Sequence, residues 1–249
     1  MKALQTFSLF KTKVLITALS AVALLHLSCE QDQTEYILKN KQQLLSAEAD
    51  ALSVEADGKS FITITANVNL DADLKEVEFT TTAGKFRYSD TSSLKVQASL
   101  SSGRLLAKAY LVSSLTENAG TEVKVSVPGV DTIIRLSFTR ALPDSLQIES
   151  SVASVQKGFG SEIPVQVFLM RKKGLPSTGQ SVQFRAEKAD RSRIGEFRGI
   201  SSAGSDLRGM LNAIFVLKDT LYTGPVRIIG QTRAASGSLS DTLHVFVTN

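Results

Sequence analysis

At 249 residues, 43% of them hydrophobic and 21% charged, the chain can build one large domain or two small ones, and its composition excludes a disordered polymer. Its formal charge of +4 is misleading, because three of the 28 basic residues (Lys2, Lys11 and Lys13) lie ahead of Cys29. Without them 25 basic residues face 24 acidic ones, and nothing calls for a nucleic-acid partner. A single cysteine excludes both a disulfide scaffold and a thiolate metal site, so packing alone must hold the fold.

The three lysines are followed by an apolar run, Val14–Leu25, and then by His26-Leu27-Ser28-Cys29. A bilayer span needs about 20 apolar residues. Twelve are too few for that but suit the core of an export signal. Small Ser28 directly before Cys29, with leucines just upstream, resembles a lipobox, although His26 stands where a leucine is usual. The resemblance implies a signal peptide over 1–28 and a lipidated Cys29, followed by a polar tether over 29–43. Each buried CH₂ of an acyl chain contributes about 0.8 kcal/mol, so two or three chains give stable anchoring. The tract Glu30–Glu35 is similar to the acidic segments that send lipoproteins to the outer cell surface. That implies an outer-membrane, lipid-anchored protein, on either face.

Beyond residue 43 the hydrophobic period becomes two. In Phe61–Leu70, Ile62, Ile64, Ala66, Val68 and Leu70 share one face, while Thr63, Thr65, Asn67 and Asn69 share the other. The same alternation predicts strands through Leu94/Val96/Ala98/Leu100, Val123/Val125/Val127 and Ile134/Leu136/Phe138. Short strands punctuated by Gly, Asn, Asp and Ser turns predict an all-β sandwich. The pattern stops at Thr139–Asp144, where Pro143 breaks any ladder.

It then begins again. Val54…Gly58 answers to Val155…Gly158, and Ile62–Val68 to Ile163/Val165/Val167/Leu169. Val77-Glu-Phe79 answers to Val182-Gln-Phe184, and Gly84-Lys-Phe86 to Gly195-Glu-Phe197. Gly103 before Leu105/Ala107/Ala109 answers to Gly209 before Leu211/Ala213/Phe215, and the closing Ile134/Leu136/Phe138 to Leu243/Val245/Val247. An offset that stays close to 100 residues, with a longer insertion between Phe184 and Phe197, is a tandem duplication, with domains expected over 44–140 and 144–249. The run Glu55-Ala-Asp-Gly-Lys-Ser-Phe-Ile-Thr-Ile-Thr-Ala-Asn-Val68, followed by Val77-Glu-Phe-Thr-Thr-Thr-Ala-Gly-Lys-Phe86, resembles the bacterial Ig-like domains of the invasin/intimin type. The second copy is similar through Gly174–Phe184 and Gly195–Phe197, but reads Val155-Gln-Lys-Gly158 in place of the Ala-Asp-Gly turn. The resemblance implies two tandem Ig-like sandwiches without a catalytic site.

The titratable and nucleophilic residues agree with that implication. His26 falls in the signal and His244 on the outward face of the last strand, so no nucleophile–base pair is offered and an enzyme is not expected. Asp71, Asp73, Glu76 and Glu78 gather near a turn but lack the glycine-spaced loop of a calcium site, so they are taken as solvated turn residues. Gly58-Lys-Ser60 has Ser53 where a phosphate loop needs glycine. No cofactor and no metal are expected. The second copy is the basic one, with 13 Lys and Arg against 9 Asp and Glu over 144–249, compared with 10 against 12 over 44–143. Its candidate anion-binding loops are Arg171, Lys172 and Lys173, and Arg185, Lys188, Arg191 and Arg193, expected at opposite ends of the sandwich.

The functional expectation is a non-enzymatic envelope protein, a stalk or interaction module for adhesion that meets an envelope protein or a surface glycan. The alternative is a carbohydrate-binding accessory lipoprotein of an outer-membrane uptake system. Lipidation is directly testable. Mass spectrometry of the native N-terminal peptide is expected to find acyl chains on Cys29, and Cys29→Ala is expected to move the protein from the membrane to the soluble fraction.

Overall fold

The computed structural model describes residues 44–69 and 75–249. The expected signal (1–28), Cys29, the tether (29–43), Asp71 and Asp73 lie outside the described residues.

The first half forms ten strands: β1 (Leu45–Ala49), β2 (Ser53–Glu55), β3 (Phe61–Val68), β4 (Glu76–Thr81), β5 (Lys85–Phe86), β6 (Ser93–Gln97), β7 (Ser99–Ser101), β8 (Arg104–Val112), β9 (Asn118–Val127) and β10 (Val130–Thr139). They make two sheets, ordered β1-β3-β8-β5 with β7 also on β8, and β2-β10-β9-β4-β6. Period-two alternation decides which side chains meet between them. Ile62, Ile64, Ala66, Leu105, Ala107, Ala109 and Leu111 point inward from one sheet, and Val77, Phe79, Val123, Val125, Leu136 and Phe138 from the other. Burying a Val, Leu, Ile or Phe stabilises by roughly 1.5–3 kcal/mol, and this core has no disulfide to assist it.

The second half repeats the plan with eight strands: β11 (Ser145–Glu149), β12 (Ser154–Gln156), β13 (Glu162–Met170), β14 (Gln183–Glu187), β15 (Glu196–Arg198), β16 (Met210–Val216), β17 (Gly224–Ala234) and β18 (Gly237–Thr248). Its sheets run β11-β13-β16-β15 and β12-β18-β17-β14 around a separate core. The two halves agree at the level of register. β2 joins β10 in parallel with Val54 opposite Phe138, and β12 joins β18 in parallel with Val155 opposite Val247. β5 sets Phe86 opposite Leu111, and β15 sets Phe197 opposite Phe215. The fold is all-β: two Ig-like sandwiches in tandem.

The structure differs from the sequence expectation in two places. The alternation Leu94/Val96/Ala98/Leu100 is two strands rather than one. At Ala98, whose N–H donates to the Lys75 carbonyl (2.7 Å), the chain leaves β4 and crosses to β8. Leu100 is therefore 67% exposed. β17, by contrast, carried no alternating signal, because Ile228, Ile229 and Gly230 are buried in succession. Gly230 lies under Ile148, whose Cδ1 would come within 2.6 Å of a Cβ there.

Gly84, just before β5, has φ +78°, and a Cβ on it would stand 2.5 Å from the Val112 carbonyl oxygen. Gly103 has nearly the same φ (+77°) but open space around it. Gly84→Ala is expected to destabilise by about 3 kcal/mol through strain plus overlap. Gly103→Ala should lose only the conformational part, about 1 kcal/mol. Urea unfolding of the two variants measures the difference.

Candidate functional site

The two sandwiches stand end to end. Leu45, Val68 and Leu105 align at one end of the first, and Phe61 and Val112 at the other. In the second, Met170 and Ser145 are paired at the end where the chain enters, and Glu162 and Val216 at the far end. Between Thr139 and Ser145 the chain has only five residues, which forces the facing loops into contact.

That contact is polar, and its centre is buried. Asp57 is 1% exposed. Its Oδ1 accepts from the backbone N–H groups of Ser60 (2.6 Å) and Lys59 (2.8 Å), its Oδ2 accepts from the Ser60 hydroxyl (2.8 Å), and the Ser113 hydroxyl approaches Oδ1 at 3.4 Å. Burial acts to raise the Asp57 pKa. The N–H donors of Ser60 and Lys59, the Ser60 hydroxyl and the positive charge of Arg171 outweigh it, and the net direction is downward. The turn so held presents its carbonyls to the loop 171–182. Leu175 N–H donates to Asp57 O (2.9 Å) and Thr178 N–H to Leu115 O (2.8 Å). Ser177 is fully buried. Its hydroxyl donates to Ala56 O (2.9 Å) and accepts from Ala141 N–H (2.9 Å), while its own N–H donates to Ala141 O (2.9 Å). Gly174 (φ +68°) lies against Asp57, where a Cβ would meet the Asp57 oxygen at 2.6 Å.

The seven basic residues fall apart into groups with different partners. Arg171 belongs to the joint: its side chain is 9% exposed, pairs with Glu55 (2.6 Å) and donates to Leu142 O (2.9 Å). Lys172 and Lys173 are exposed beside it. Arg185 pairs with Glu187 (3.2 Å) on β14. At the far end Lys188 donates to Asp219 (2.9 Å), which raises the lysine pKa and lowers that of the aspartate. Arg191 and Arg193 are exposed in the same turn. His244 is exposed on β18, Glu76 pairs with Lys95 (3.1 Å), and Glu78 accepts from the Ser93 hydroxyl (3.3 Å). In the sequence, the Ala-Asp-Gly turn and the Gly174–Phe184 segment stand out only as carriers of the family resemblance. Nothing in either segment alone announces that each is the other's partner.

No family model matches the sequence, and no curated protein does. Solved structures do match. The adhesin InvE of Yersinia pseudotuberculosis superposes with a TM-score of 0.52 and 17% identity over 82% of this chain and 59% of that one. The invasin described as a bacterial integrin-binding protein superposes with a TM-score of 0.58 and 18% identity over 82% of this chain and 39% of that one. The fold is the invasin-type Ig-like sandwich. This chain spans less than two thirds of either invasin-type adhesin, and at these identities the likeness concerns architecture.

Two tests follow from the joint. Ser177→Ala leaves Ala56 O and Ala141 N–H buried without a partner, at about 1–3 kcal/mol for each. Small-angle scattering is expected to show a wider distribution of shapes for this variant. Asp57, with its folded pKa depressed, contributes stability that is complete above the ordinary aspartate value of about 4 and lost as the pH falls through the folded value. Acid titration of the wild type is expected to weaken the joint below that range, and Asp57→Asn to flatten the dependence.

Proposed function

We propose that this protein is a non-enzymatic, lipid-anchored component of the cell envelope. Residues 44–140 and 144–249 would serve as two domains of a stiff adhesion or interaction module, tied at Cys29 to the outer membrane. The observation that carries the reading is the buried Ser177–Ala141–Ala56 network. A tandem whose halves are joined by hydrogen bonds between fixed backbones holds its far end at a set distance from its root, whereas a flexible linker would not. The likeness of fold to adhesins supports the same reading.

The surface offered to a partner is then the far end of the second sandwich. Phe159 is 74% exposed there and Leu221 88%. Lys218 Nζ lies 4.9 Å from the Phe159 ring centroid, and Lys188, Arg191 and Arg193 stand in the adjacent turn. An exposed aromatic and an exposed aliphatic side chain at the same end, with cations nearby, match the composition of protein-interaction surfaces. Cross-linking and pull-down from intact cells should capture an envelope or surface partner with the wild-type chain. Phe159→Asp combined with Leu221→Asp should lose that partner while remaining in the membrane fraction. Unchanged capture by the double variant would move the interaction elsewhere on the molecule.

A further inference from the structure

β5 runs into a turn whose residues Tyr88 (φ +78°) and Asp90 (φ +53°) adopt left-handed backbone. Elsewhere such positions are mostly glycine, as at Gly84 and Gly103. A bulky residue there costs about 1–3 kcal/mol and persists where its surroundings over-determine it. The strained residue does no packing work in the core. The Tyr88 side chain is held out in water, the residue 86% exposed, with its ring edge-on to Tyr110 (6.4 Å, 84°).

Next to it, the guanidinium of Arg87 lies 4.1 Å from the centroid of the Phe61 ring and 5.9 Å from that of Tyr110. Phe61 and Tyr110 themselves meet edge to face at 5.8 Å. Stacking covers one face of the guanidinium and orients it. Lys85 pairs with Asp90 (3.2 Å), but among the described residues the Arg87 side chain has no carboxylate and no hydrogen-bond acceptor. Its N–H edge is an oriented fork that, among the described residues, no protein acceptor takes up. Both residues line an open groove of about 800 Å³ that continues along Ser114, Leu115 and Thr116 to Leu207 of the second sandwich.

We infer that this groove binds an acidic sugar, with Tyr88 stacking on the C–H face of a pyranose ring and Arg87 holding its carboxylate. An exposed tyrosine ring beside side-chain hydroxyls suits a puckered sugar ring, which has an apolar C–H face and hydroxyls around its rim. A planar guanidinium matches a carboxylate through two parallel hydrogen bonds. An extended peptide is a poorer fit. It would need a free sheet edge, and β5 is two residues long with the Phe86 N–H already given to Thr91 O (2.9 Å). The groove ends on Leu207, so its occupant touches both sandwiches. The inference rests on the groove alone and is independent of lipidation and of the distal tip.

The purified full chain is to be titrated with a galacturonic acid hexamer, sialyllactose, neutral lactose and a hexaglutamate peptide. Binding of at least one acidic saccharide is expected, about tenfold or more tighter than lactose and the peptide, and weakened by salt. Tyr88→Gly removes the left-handed strain, so its melting temperature should equal or exceed that of the wild type while saccharide affinity falls about tenfold or more. Arg87→Lys keeps the charge but loses the planar fork, and affinity should again fall about tenfold. Failure of both acidic saccharides to bind, equal binding of lactose or hexaglutamate, or full affinity in well-folded Tyr88→Gly would each overturn the assignment.

Discussion

The hydroxyl of Ser177 sits between the carbonyl of Ala56 and the N–H of Ala141, with none of the three residues exposed. The contact between the two sandwiches centres on that placement. A polar group buried without a partner is costly, so a polar interface tolerates only the arrangement in which every member is satisfied. Apolar interfaces can slide and still bury area. This one cannot shift without breaking several hydrogen bonds together. The Arg171–Glu55 pair lies at its margin, with the glutamate about half exposed, and adds orientation more than stability.

How much of this the sequence displays depends on the range of the interaction. The alternation of Ile62, Ile64, Ala66 and Val68 is local and strong, because one face of the strand meets a core and the other meets water, and the burial follows it residue by residue. The duplication was legible for the same reason, since Gly84-Lys-Phe86 and Gly195-Glu-Phe197 each solve one steric problem against β8 and β16. The crossing at Ala98 was hidden because alternation in sequence continues even when the strand changes sheets. β1 was hidden because Leu-Ser-Ala-Glu-Ala is too weakly apolar to stand out. The joint was hidden most deeply. Asp57 and Ser177 are small polar residues in separate loops, and only the fold brings the Asp57 turn, through Ala56 O, within reach of Ser177.

The same distinction separates the charged residues. Arg171, Lys172 and Lys173 look alike as a run, yet the first is enclosed between the sandwiches while its neighbours are solvated. Arg87, two residues from the paired Lys85, stacks on rings and lacks an acid among the described residues. Charge density along a chain is a poor guide to where charge is available. Availability is decided by which carboxylates the fold has already placed beside each cation.

The turn at Asp57 also makes the two copies unequal. In the first, Gly58 takes φ +69° and the aspartate stiffens the turn that receives the 174–178 loop. In the second, where Val155 takes the place of Val54, the corresponding residues are Lys157-Gly158-Phe159, without a carboxylate, and Phe159 is not in the left-handed region. In the joint, therefore, the first copy supplies the turn braced by a carboxylate and the second supplies the loop that seats against it. The pair has a direction, because the brace lies on one side of the joint only.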